Sequence, residues 1–322
     1  MTTKRIAWMD AAKGFAILGV AMLHAMSPVM EGHLLMSRVY RVLYWLVNPT
    51  FFLLSGLVSG KVLTATSGER LGILKKRATQ LMIPYATWAV IYFLLKEVFG
   101  RYMRYPQAPL WTVFLGNNPN GQFWFLYVFF LLSALALLLN GKTATPGCIL
   151  ALIVSFLAPL IPDWVRFPGI GLSYALFQMG FYFLGLRLSK VRFTCFSHGW
   201  LALICGVVGV GLIALFLLGI ESWYTKLLYP LTVCYALFYG LSKLPEGWVI
   251  RSLSYLGQHS LDIYILHAPF LLMGRAVLRA RLVDTPWIYA IAVTVLSTAG
   301  ALLISRFILQ RIKPLRLLLI GK

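Results

Sequence analysis

Apolar runs of about 20 residues recur along the chain, each broken by a short polar stretch. The pattern predicts ten helices, near 7–30, 40–63, 80–99, 122–140, 147–161, 171–188, 199–219, 225–242, 259–279 and 286–309. Runs of this length cross a hydrocarbon core of about 30 Å. The fifth is expected to be short and to end at Pro159 and Pro162. The longest polar stretches, loops of roughly 10–20 residues, are too short for a soluble domain. The chain therefore reads as all-α: a polytopic membrane protein of about ten transmembrane helices forming one domain over residues 1–322.

Composition agrees, since 60% of the 322 residues are hydrophobic and only 12% are charged. Soluble domains lie nearer about 45–50% apolar. Lys4 and Arg5 precede an apolar run that Asp10 and Lys13 interrupt, with no small-residue cleavage site after it. That predicts a retained helix rather than a cleaved signal peptide. Cys148, Cys195, Cys205 and Cys234 have neither paired nor metal-type spacing, and Cys205 and Cys234 read as packing residues inside apolar runs.

The net charge of +20 changes the picture in one respect. No basic stripe interleaved with aromatics lies outside the apolar runs, so a nucleic-acid partner is not expected. The cations instead report topology and attraction to anionic headgroups. Ten spans put both termini on one side. The termini and even-numbered loops carry 18 Lys and Arg, and the odd-numbered loops carry 10, among them Arg38, Arg41, Lys226 and Arg275. The excess places both termini in the cytoplasm.

The ionisable residues inside the runs are the candidate chemistry, because a charge at the bilayer centre costs about 2.5–3.5 kcal/mol and is seldom idle. In "MDAAKGFAILGVAMLH", Lys13 and His24 are eleven apart, which brings them within about 20° of one helical face and about 16 Å apart along it. Asp10 joins that face and forms an i,i+3 pair with Lys13. A stripe thus runs from a cation near the cytoplasm to a histidine well inside the membrane. The competing reading is a Lys13 that snorkels to the headgroups and a His24 that bonds a neighbouring helix.

In "LGQHSLDIYILH", Gly257 and Ser260 read as a loop and helix start, with Ser260 as N-cap. Ser260, Tyr264 and His267 then line one face, and Asp262 lies opposite, near the interface, where it favours the helix N-terminus. In "NPTFFLLSG", Pro49 can open or kink a helix and Ser55-Gly56 allows close approach. The loop before the third helix carries Lys75, Lys76 and Arg77, either as ordinary cytoplasmic charge or as a clamp for a phosphorylated donor. On the residues alone, two functions stand: an enzyme, or a transporter or exporter with Asp10, Lys13 and His24 as a relay.

Taken together and in order, "RIAWMDAAKGFAILGVAMLH", "PTFFLLSG", the Lys76-Arg77 pair leading to Pro84-Tyr85, "FWFLY" and "LGQHSLDIYILH" resemble the acyltransferase 3 family of integral membrane acyltransferases. The first helix is most similar to sugar O-acetyltransferases of the bacterial inner membrane. The resemblance implies a cytoplasmic acyl-CoA, acetyl-CoA first, as donor, no metal, and a carbohydrate hydroxyl of a cell-surface polysaccharide or its lipid-linked precursor as acceptor. It makes His24 the catalytic histidine, with Lys13, steadied by Asp10, and Lys76 and Arg77 meeting the donor's phosphates. Ser55, Trp124, Tyr264 and His267 are candidates for the cavity wall or polar support. The bilayer is the one fixed partner; self-association and glycan-assembly proteins are the other partner classes.

Two positions depart from the family's pattern: Gln80 stands where some members have a second arginine, and Asn48 where some have a histidine. With no esterase-like extension apparent, the chain is expected to complete the transfer alone or to hand the acyl group to a separate protein. His24 could act as base for the hydroxyl or as nucleophile on the thioester.

Overall fold

A computed structural model describes residues 6–99, 109–115, 121–160, 172–190, 197–279, 281–282 and 284–322. Lys4, Arg5, Pro162 and Cys195, singled out above, lie outside the described residues. The described residues fold into α-helices joined by short 3-10 and turn segments, with no strand among them. The helices are α1 (Ala7–Met26), α2 (Leu34–Val58), α3 (Ser67–Phe99), α4 (Trp124–Ala136), α5 (Ala144–Leu157) and α6 (Leu172–Leu188). They continue with α7 (Gly199–Leu218), α8 (Trp223–Lys243), α9 (Trp248–Gln258), α10 (Ser260–Leu278), α11 (Pro286–Ile304) and α12 (Lys313–Ile320). Among the described residues, six segments are long and apolar enough to cross a membrane: Ala7–Met26, Leu34–Thr64, Ser67–Leu95, Gly199–Leu218, Ser260–Leu278 and Pro286–Leu309. Gly121–Ala136 and Ala144–Leu157 are apolar but shorter.

Each expected helix falls on an observed one, but several expectations need correction. Helix α2 begins at Leu34, so Arg38 and Arg41 are helical rather than in a loop. Helix α3 begins at Ser67, thirteen residues before the expected start, and Lys75, Lys76 and Arg77 lie on it. Its start is encoded by Thr66 and Glu69. The Thr66 backbone N–H and hydroxyl donate to the Glu69 carboxylate (2.7 and 2.8 Å), and the Glu69 N–H faces the Thr66 hydroxyl at 3.5 Å. This is a capping box. Helices α9 and α12 were not expected. Both are too short and too polar along one side to register as spans.

The chain forms two compact units. The first comprises Met1–Ser55 and Leu188–Ile308. Within it α1 packs against α8, α9, α10 and α11, and α10 against α11. Among the buried α1 positions, a run near its start is small, Ala11, Ala12, Gly14 and Ala16, which lets backbones approach closely. Against α9 the approach is closest. A Cβ on Gly14 would overlap the Leu253 carbonyl, and one on Gly257 would overlap the Asp10 carbonyl. The Ser254 hydroxyl adds a bond to the Ala7 carbonyl at 2.8 Å.

Helices α9 and α10 break at His259, whose backbone leaves the helical region. His259 is therefore the N-cap of α10 and Ser260 its first residue, not the cap. Asp262 is 3% exposed rather than interfacial. Its Oδ2 accepts the Ser305 hydroxyl at 2.8 Å and faces His259 Nδ1 at 3.7 Å. Ser305 opens a π-turn, Ser305–Leu309, that ends the α11 segment.

The first turns of α2 and α8 carry cations with fixed partners. The Arg38 guanidinium donates to the Leu217 carbonyl where α7 ends, just before the left-handed Gly219. Glu221 pairs with Arg41 at 2.9 Å and with Lys226 at 3.4 Å. The Lys226 ammonium also stands 4.9 Å from the Trp45 ring centre.

The second unit comprises Gly56–Arg187 and Leu309–Lys322. Helix α3 is its spine, packing on α4 and α12. Arg70 donates to the carbonyls of Leu137 and Leu139 beyond the end of α4, and Trp88 Nε1 donates to the Leu319 carbonyl at 2.9 Å. Buried Ser155 ties α5 to α6, donating to the Phe177 carbonyl (2.8 Å) and accepting from the Gly180 N–H (2.7 Å).

Gly14→Ala and Gly257→Ala should each destabilise the protein by about 1–3 kcal/mol through overpacking. Gly72→Ala and Gly211→Ala, where an added Cβ meets nothing within 4 Å, should be neutral or mildly stabilising. Thermal unfolding of the four variants in one detergent checks this ordering.

Candidate active site

The stripe on α1 begins with Lys13 Nζ at 3.5 Å from Asp10 Oδ1. Asp10 sits where α9 crosses, so its backbone is fixed by the Gly257 contact. Its side chain is largely buried, and Oδ2 has no hydrogen-bond partner. The Lys13 side chain keeps 24% of its surface open. A half-buried cation held by a single-bonded carboxylate is a place where an anionic group can bind. The Asp10 carboxylate partly offsets the Lys13 charge.

His24 lies three turns further along α1. Its neighbours Leu23 (5%) and Ala25 (1%) are buried, whereas His24 as a residue keeps part of its surface open. Beside it lies His267 of α10, 1% exposed, with ring centroids 5.3 Å apart and planes at 44°. His267 Nδ1 lies 2.7 Å from the Tyr264 carbonyl oxygen and 3.1 Å from that of Ile263. Its Nε2 is buried with no partner. The Tyr264 ring is 6.2 Å from the His267 ring. Helix α10 thus brings His267 beside His24, with Tyr264 on the same helix next to His267.

Two residues enter that the sequence pattern did not single out. Arg275 belongs to the last turn of α10 rather than to a loop, and it is close enough to act electrostatically on His24 and on Tyr289 of α11. Tyr289 is fully buried, and its hydroxyl has no hydrogen-bond partner. The signal for Arg275 was available: it lies eight residues after His267, about 80° round the helix, at the end of an apolar run. Ser55 lies on α2, the last residue of the first unit.

The other expected residues belong to the second unit. Lys76 is exposed on α3. Arg77 is engaged, its guanidinium 5.4 Å from the Phe129 ring centre and 3.5 Å from the Ser59 hydroxyl. Trp124 opens α4 and stacks on Tyr174, ring centres 4.5 Å apart. Among the described residues, no three or more His, Cys, Asp or Glu side chains gather as a metal site.

Residues 6–306 match the family model described as an acyltransferase domain, Acyl_transf_3. No curated protein and no solved structure matches the chain.

The contrast between the two imidazoles has a direct chemical readout. In a background with the native cysteines replaced by serine, His24→Cys should react with a small water-soluble maleimide about ten-fold or more faster than His267→Cys, since thiol labelling follows access. Pseudo-first-order labelling rates in detergent check this.

Proposed function

We propose, from the premise that this chain belongs to the acyltransferase 3 family, that it moves an acetyl group from cytoplasmic acetyl-CoA to a hydroxyl of an envelope carbohydrate. On this reading it is one multi-pass domain of the bacterial inner membrane, with ten spans and both termini in the cytoplasm. The observation that carries the assignment of the chemistry is a partly exposed histidine, His24, beside the buried His267 in a largely apolar bundle.

Acyl transfer needs a proton acceptor for the hydroxyl, a counter-charge for the tetrahedral oxyanion, and an exit for the thiolate. In the proposed step, the acceptor's oxygen attacks the thioester carbon while its proton passes to a bare nitrogen of His24. The oxyanion collapses, the C–S bond breaks, and the leaving CoA sulfur takes the proton from the imidazolium. Arg275 supplies a cation near the reacting centre, worth most where water is excluded. Lys13 meets the donor's phosphate groups from the cytoplasmic end of the stripe, with Asp10 holding it in place. Lys76, exposed on its own unit, is a candidate phosphate contact; Arg77, with its two partners, is less available.

The test uses purified protein in liposomes, labelled acetyl-CoA and a set of oligosaccharides, reading CoA release and label on sugar. Wild type should release CoA in step with sugar acetylation. His24→Ala should lower kcat by about 10³-fold or more while still inserting and folding. Lys13→Ala should raise KM for acetyl-CoA about ten-fold with kcat little changed, and Lys13→Arg should restore most of that loss. Wild-type turnover by His24→Ala would overturn the mechanism. Acetyl-CoA binding without turnover in the wild type would favour transport.

A further inference from the structure

His267 is held by one ring nitrogen only. Both atoms facing Nδ1, the carbonyl oxygens of Tyr264 (2.7 Å) and Ile263 (3.1 Å), are acceptors, so Nδ1 must carry the proton. The neutral ring then has its lone pair on Nε2. That atom is buried, and no donor reaches it. An unmet acceptor at this depth is costly unless something completes it.

The group placed to complete it is His24. With ring centroids 5.3 Å apart, two imidazoles can bring facing nitrogens to about 3 Å, a hydrogen-bond distance. The two rings differ in freedom. His267 is 1% exposed and its ring is fixed through Nδ1, whereas His24 is partly exposed and can turn. The turn has a chemical consequence. Once one nitrogen of His24 donates to His267 Nε2, the other nitrogen is bare and faces away from His267.

We propose that His267 is a positioning residue for the transfer reaction: its backbone-locked Nδ1–H tautomer presents Nε2 to the N–H of His24 and so fixes which His24 nitrogen is free to take the hydroxyl proton. The inference rests on the reading of His24 as the base. In the step written above, the hydroxyl proton goes to the free nitrogen of His24 and later to the thiolate. His267 keeps its own proton throughout and steadies the imidazolium through the same bond. A carboxylate in this role would bring a full charge into the bundle, whereas a neutral imidazole orients its partner without one.

Two substitutions separate positioning from packing. His267→Asn keeps an N–H donor where Nδ1 lies and removes the acceptor; His267→Gln places an amide oxygen near the position of Nε2. In the acetyl-CoA and oligosaccharide assay, His267→Asn should lose about 10²-fold or more in kcat with KM for acetyl-CoA within about two-fold of wild type. His267→Gln should stay within about ten-fold of wild-type kcat. Wild-type kcat in His267→Asn, alongside an inactive His24→Ala, would overturn the positioning role and leave the base assignment standing. Equal losses in the Asn and Gln variants, with or without loss of folded protein, would assign His267 to packing and overturn the proposal. Full activity in His24→Ala would remove the base assignment and this inference together.

Discussion

The backbone contact between α1 and α9 governs the rest of the first unit. Gly14 and Gly257 face carbonyls of the opposing helix at a distance where a methyl group does not fit. In a membrane, where lipid tails are as apolar as leucine, such small-residue approach supplies much of what the hydrophobic effect supplies in water. Here the crossing falls at Asp10, so the residue that holds Lys13 is also a residue whose main chain is immobilised. The charged end of the stripe is therefore set by packing, and its electrostatics follow from that.

From this fixed end, α1 carries His24 into the bundle, where α10 meets it. The pairing of a buried ring, anchored through Nδ1 alone, with a partly open neighbour is asymmetric by construction. One imidazole has its protonation pattern dictated by main-chain carbonyls, and the other retains the freedom to meet a substrate. Arg275 and Tyr289 extend the polar patch along α10 and α11, so charge can develop there without facing hydrocarbon alone.

Much of this was legible in the order of residues. Ten apolar runs marked ten helices, and Asp10, Lys13 and His24 were visible because ionisable groups stand out in such runs. The early start of α3 was hidden by its charges, although Thr66 and Glu69 spelled out a cap. With 33 residues the helix is about 50 Å long, well beyond a hydrocarbon core of about 30 Å, so an apolar window finds only part of it. Helix α9 escaped because it is amphipathic and has 11 residues. Arg275 was counted as a loop cation because it follows the apolar stretch, and only the packing of α10 on α1 and α11 draws it inward. Tyr289 carried no signal, since one tyrosine in an apolar run is ordinary. The tautomer of His267 depends on reaching the carbonyls three and four residues back, which requires the helix to be in hand.

Asp262 and Ser305 join the first turn of α10 to the widened turn that closes the α11 segment. A helix anchored at its first turn has its rotational phase set along its whole length. His267 follows five residues later and Arg275 thirteen, so both directions are inherited from that one buried carboxylate. The π-turn thus works as an angular stop. Torsion introduced at Ser305 would be transmitted as a turn of the entire polar face that α10 offers to His24.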